Sequence, residues 1–169
     1  MANPSFETVQ YPFTAFNFAV EIAVPGLPNQ VCNAAFAECD GLEMTMEVKT
    51  IREGGNNGEQ IRLTGPLSYG QLSLKRGMTP NFDLWDWVAA ILAPGGAGLR
   101  ADAEVVVFAA DGVAERARFL LKRCLPVKLK APPLNAKDGA VAIEELQLAY
   151  ESLTLRRPTG PGLSPAGGV

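Results

Sequence analysis

The sequence predicts a mainly β protein: an antiparallel β-sandwich or barrel with one packed α-helix. Three observations carry this. Apolar and polar residues alternate with a period of two in most segments, the pattern of strands with one wet face. A helical period appears only in "TPNFDLWDWVAAIL". Gly, Pro, Asn and Asp punctuate the segments between. The 169 residues suit one domain, expected over residues 1–157. The Pro/Gly-rich tail, 158–169, is expected to be disordered.

The elements follow in order. In "FTAFNFAVEI", Phe16, Phe18, Val20 and Ile22 share one parity, and Asn17 and Glu21 the other. "VPGLPN" ends that strand. "VCNAAFAEC" is a weaker strand, closed by a turn at Asp40-Gly41. "LEMTMEVKTI" alternates most cleanly: Leu42, Met44, Met46 and Val48 are expected in the core, with Glu43, Thr45, Glu47 and Lys49 on the wet face. Then comes "IREGGNNGEQIRLTG", Ile51–Gly65, which is too long for a tight turn. "QIRL" and "LSYGQLSLKRG" are the next strands, the second with Leu72 and Leu74 opposed to Ser73 and Lys75.

The helix is expected to start with Thr79 as N-cap and Pro80 at its first position, with Asp83 and Asp86 near the positive end of the dipole. Phe82, Leu84, Trp85, Trp87, Val88, Ile91 and Leu92 nearly encircle it, which calls for burial on several sides, a second subunit included. Trp85 and Trp87 lie about 200° apart on a helix. One is therefore expected in the core and the other at an interface. "EVVVFAADGVAERARFLLKRC" is a hairpin turning at Asp111-Gly112. "PVKLKAPPLNAKDG" is a loop-rich connection. In "AVAIEELQLAYESLTLRR" the alternation of Val141 and Ile143 slips at Glu144-Glu145 and resumes at Leu146, Leu148 and Tyr150. A β-bulge accounts for the slip; a helix is the alternative.

Chemistry is sparse. Histidine is absent, which removes Ser–His and Cys–His pairs and imidazole metal ligands. Cys32, Cys39 and Cys124 form no Cys-x-x-Cys, so buried free thiols are expected. A net charge of -3 disfavours a nucleic-acid binder. "GGNNGEQ" lacks the Lys-Ser/Thr of a phosphate loop. Glu144, Glu145 and Glu151 are expected on an exposed sheet face rather than as an acid/base pair. There is no signal-like N-terminus and no apolar run of about 18 residues, so the monomer is not expected to insert into a membrane.

"FAECDGLEMTMEVKTIREGGNN", "LSLKRGMTPNFDLWDW" and "VAIEELQLAYESL" together resemble the tail tube proteins of contractile phage tails and contractile injection systems, from about Phe13 to Leu155. The resemblance implies an inner tube subunit that forms sixfold rings. Neighbouring strands would join into one closed β-barrel around a lumen, and the rings would stack inside a sheath that drives the tube through a target envelope. The implied partners are the protein itself, the sheath, baseplate and spike proteins, and a lumen cargo of effector protein or DNA. No cofactor and no catalysis are implied. Assembly would take place in the cytoplasm, in a particle that stays in the cell or is released. Arg52, Glu53, Gly54, Gly55, Asn56, Asn57, Gly58 and Glu59 would form an inter-subunit loop, with a solvated hairpin as the alternative. Glu43, Thr45, Glu47 and Lys49 would face the lumen. Trp85 and Trp87 would divide between core and interface. The competing reading of the whole chain is a soluble β-barrel that binds a small ligand.

Overall fold

Alternation along the chain becomes ten strands and one α-helix in a computed structural model, which describes residues 14–25, 32–34, 36–52, 54–55, 58–137 and 139–158. The strands are β1 (Phe18–Ala23), β2 (Cys32–Ala34), β3 (Glu38–Asp40), β4 (Met44–Ile51), β5 (Ile61–Tyr69), β6 (Gln71–Gly77), β7 (Ala101–Phe108), β8 (Glu115–Lys130), β9 (Ile143–Ala149) and β10 (Ser152–Arg156). The helix α1 spans Asp83–Leu92. Strand pairing is antiparallel throughout the described residues. Eight strands form the body in the order β2-β1-β7-β8-β9-β6-β3, with β10 also on β8; β4 and β5 pair only with each other.

Strand β8 organises the body. Its first part pairs with β7 and β10, and its last part with β9. β9 and β10 lie in series along β8 in one register, Ala149 opposite Leu125 and Ser152 opposite Lys122. The ladder breaks between them, where Arg123 takes a positive φ of 54° and the β7 register shifts. Such a bulge bends a strand. The two parts of the sheet enclose one core: Val20, Ile22, Val105 and Leu121 from one, Leu72, Leu74, Leu146 and Leu148 from the other, with Leu84 and Trp87 of α1.

The expected hairpin forms. Asp111 Oδ1 accepts the N–H groups of Val113 (2.9 Å) and Ala114 (3.1 Å), and Gly112 takes φ 71°. Other expectations need correction. "PVKLK" is strand, not loop: β8 runs on to Lys130, and Pro126, which has no N–H to donate, sits where the register with β9 shifts. "QIRL" and the start of "LSYGQLSLKRG" are one strand, β5, separated from β6 by Gly70. The helix begins later than expected, with Phe82 at its N-cap position and no side-chain cap. Thr79 Oγ1 instead accepts the Asn81 N–H (3.3 Å), and Asn81 Oδ1 accepts that of Asp83 (2.9 Å). Asp83 and Asp86 do occupy the first turn.

No slip occurs at Glu144-Glu145. The β6–β9 register is unbroken from Gln71↔Ala149 to Gly77↔Ile143. Glu144 shares the inward face with Leu146, Leu148 and Tyr150, and is only 2% exposed. It is the outward Val141 and Ile143 that are exposed. The carboxylate is tolerated inside because Arg76 Nε donates to Glu144 Oε1. Cys39 and Cys124 are free thiols, and burial pushes each up to about 11, helped at Cys39 by the Asp40 charge. The Cys32 side chain and the tail from Thr159 lie outside the described residues.

Candidate functional site

The expected core placement of Met44, Met46 and Val48 fails, and this failure marks the site. They are 54%, 51% and 59% exposed. On the partner strand Ile61, Leu63 and Leu67 are exposed as well. The alternation of β4 is real, but no body strand lies beneath it. β4 and β5 form a free two-stranded arm, and each strand keeps one edge unpaired among the described residues.

The faces of the arm follow from its register. Met44 lies opposite Tyr69 and Met46 opposite Leu67, whereas Val48 lies opposite Thr64. Two residues advance on β4 against three on β5, so a bulge sits at Gly65-Pro66, facing Glu47. Its cause is local. Pro66 has no N–H, and a Cβ on Gly65 would lie 2.7 Å from the Glu47 carbonyl oxygen. One face then carries Met44, Met46, Val48, Tyr69 and Leu67. The other carries Thr45, Glu47 and Lys49, then turns apolar toward the tip, where Ile51 opposes Ile61 and Lys49 opposes Leu63.

The sequence-expected residues fall into place on this frame. Thr45, Glu47 and Lys49 share the polar face, and all three are exposed. Glu43 precedes β4 and belongs to the root of the arm. Gly54 and Gly55 form the turn at the tip, with Gly55 at φ 98°, a conformation glycine adopts without penalty. Arg52, Gly58 and Glu59 flank it. Glu53, Asn56 and Asn57 lie outside the described residues.

The two tryptophans separate. Trp87 is fully buried in the core. Trp85 is half-buried, and its Nε1–H donates to Glu144 Oε2 (3.2 Å). Arg76 also donates from Nη2 to the Asn81 carbonyl (3.3 Å), and its guanidinium lies 5.9 Å from the Phe36 ring centroid. Arg76, Glu144 and Trp85 thus tie α1 to the body sheet. The sequence carried a signal for this pair: Arg76 continues the inward parity of Leu72 and Leu74, as Glu144 does that of Leu146 and Leu148.

The arm meets the body where three connections converge. The Tyr150 hydroxyl shares its one proton between the carbonyls of Gly41 (2.8 Å) and Glu43 (2.9 Å) and accepts the Glu43 N–H (3.1 Å). The Gly70 N–H donates to the Glu43 carbonyl (3.2 Å). The Tyr69 and Tyr150 ring centroids are 5.6 Å apart. Gly41 takes φ 95°, and a Cβ there would lie 2.0 Å from the Gln71 carbonyl oxygen. Among the described residues no group of three or more His, Cys, Asp or Glu side chains is placed to hold a metal, and no helix is long and apolar enough to cross a membrane.

A family model described as T4-like virus tail tube protein gp19 matches residues 14–154. No curated protein sequence matches. Among solved structures, a chain of the anti-feeding prophage (AFP) baseplate, 6-fold symmetrised, is similar with a TM-score of 0.74 at 25% identity, covering 88% of this chain and 98% of that one. A chain of the AFP tube terminating cap matches with a TM-score of 0.75 at 19% identity, covering 94% and 100%. A chain of the PVC sheath-tube complex, an extracellular contractile injection system in its extended state, matches with a TM-score of 0.73 at 19% identity, covering 91% and 100%.

Proposed function

The chain belongs to the T4-like virus tail tube protein family, and from that premise we propose that it is the repeating inner-tube subunit of a contractile tail or injection system. Copies form sixfold rings, neighbouring strands close into one barrel around a lumen, and the rings stack inside a sheath. The 6-fold symmetrised AFP baseplate supports the ring symmetry, and the PVC sheath-tube complex supports the sheath as a partner. Baseplate and spike proteins bound the tube, and its lumen carries effector protein or DNA. The work is mechanical rather than catalytic: sheath contraction drives the tube through the target envelope. Assembly takes place in the cytoplasm.

The free β4–β5 arm is the observation that carries this reading. A pair of strands standing alone is marginal in water, and unpaired edges invite further strands. A neighbouring subunit removes both problems at once. The face with Met44, Met46 and Val48 packs on that neighbour, while Thr45, Glu47 and Lys49 turn toward the lumen together with Glu43. The two carboxylates and one ammonium make the root half of that wall hydrophilic and only mildly negative, which disfavours sticking of cargo there. Trp85, half-buried beside Glu144, lies at or near a subunit or sheath contact. The tip, from Arg52 to Glu59, reaches subunits beyond its own ring.

Four apolar residues of the packing face, Met44, Met46, Val48 and Leu67, are 43–59% exposed. Covering each gains roughly 1 kcal/mol, about half of the full-burial value. Electron microscopy of the purified chain over a range of concentrations tests the proposal. Rings with sixfold symmetry, or tubes built from them, are expected. A monomer at every concentration, with and without the sheath protein, contradicts it.

A further inference from the structure

Both strands of the arm enter the body at one joint, and Tyr150 sits at its centre. The residue is only 6% exposed, its ring packed beside Tyr69 at the start of the arm's return into β6. Its hydroxyl engages Gly41 and both backbone groups of Glu43, on the way into β4. β4 and β5 pair with no other strand. We propose that the Tyr150 hydroxyl is the pin that sets the direction in which the arm leaves the body, and through it the placement of neighbouring subunits. The effect on neighbours rests on the assembly role proposed above; the joint itself does not.

The geometry makes this position sensitive. The eight residues of β4 give a lever about 26 Å long at about 3.3 Å per residue, so a tilt of about 10° at the root moves the tip by about 4–5 Å. That exceeds the tolerance of any hydrogen-bonded strand pairing. A hydroxyl suits the task because it fixes direction as well as distance: it has one proton to share between two carbonyls and a lone pair for the Glu43 N–H. The neighbouring backbone is fitted to it. The positive φ of Gly41 and its close approach to Gln71 leave no room for another residue type there.

Hydrogen exchange on the full chain carrying Tyr150→Phe tests the pin, since the ring stays and only the hydroxyl goes. The hydrogen-bonded amides of Glu43, β4, β5 and Gly70 are expected to exchange about tenfold faster, the size of one lost hydrogen bond. Those of β1, β7 and β8 are expected to keep the parent's rates. Leu148→Ala, two residues away in β9, is the control for a merely structural effect: it is expected to accelerate body and arm together. Arm amides of Tyr150→Phe that exchange at the parent's rate overturn the pin. So does an acceleration spread over the whole chain as in Leu148→Ala. Electron microscopy of the same variant is expected to show fewer or irregular tubes, and tubes identical to the parent's overturn the consequence for neighbours. If the parent itself never assembles, the assembly role fails, and the pin still stands or falls on exchange alone.

Discussion

Strands β4 and β6 carry the same pattern and meet opposite fates. In β6, Leu72 and Leu74 alternate with Ser73 and Lys75 and are fully buried. In β4, Met44, Met46 and Val48 alternate with Thr45, Glu47 and Lys49 and stand about half exposed. The difference lies in what is beneath them. β6 is held between β3 and β9 with α1 residues in the same core, whereas β4 has only β5 beside it. Alternation therefore records that a strand has two unlike faces. It does not record whether the chain's own core covers the apolar one.

The comparison breaks most sharply at the body end. Glu144→Ala leaves Arg76 charged and buried without its carboxylate, which costs about 3–5 kcal/mol. Thermal melting is expected to fall by roughly 6–20 °C. Replacing both partners, Arg76→Met with Glu144→Leu, restores most of that loss. Trp87→Ala is expected to cost about 3–5 kcal/mol as a core truncation. Trp85→Phe gives up the hydrogen bond to the Glu144 carboxylate, about 1.5–3 kcal/mol, and part of the packing of a half-buried ring. Equal melting losses for the two tryptophan variants would remove the distinction between them.

The arm end is expected to respond in the opposite way. Met46→Ser with Val48→Ser touches no core residue, so melting of the monomer stays within about 0.5 kcal/mol of the parent. Assembly, followed by sedimentation or light scattering, is expected to fall by about tenfold or more, since about 2 kcal/mol of burial per contact is lost. A melting loss comparable to that of Trp87→Ala would mean that the arm belongs to the body's core.

Sequence patterning made much of this legible. Most strand positions, the Asp111-Gly112 hairpin and the presence of a single helix follow from local periodicity and turn chemistry. What stayed hidden has physical causes. Arg76 and Glu144 are 68 residues apart, and a charged residue in an apolar stripe looks like a slip until its partner is known. Pro126 looks like a strand end, yet β8 absorbs it as a bulge. Thr79-Pro80 has the form of a helix start, but local Thr and Asn turns delay the helix to Asp83. The arm was visible as a Gly-rich interruption; its freedom was not, because alternation marks an apolar face without saying whether the chain's own core lies beneath it.

The smallest expected effect concerns the thiols. With burial pushing Cys124 up to about 11, only about one thiol in a thousand is ionised at pH 8. Peptide mapping after alkylation of the folded chain is expected to find Cys124 unmodified until denaturant is added. Rapid labelling of Cys124 in the native protein would show that the body opens as readily as the arm.

The most direct measurement shortens the arm and asks the two regions to respond separately. Residues 52–60 are replaced by a two-residue Asn-Gly turn between the paired Ile51 and Ile61, which closes the hairpin without touching β6, β9 or the Tyr150 joint. Circular dichroism and melting are expected to match the parent, because every described residue of the removed stretch is exposed. Electron microscopy is expected to show no tubes. Tubes of normal length from the shortened chain would contradict the account, since the tip would then be a solvated turn and the contact between subunits would lie elsewhere.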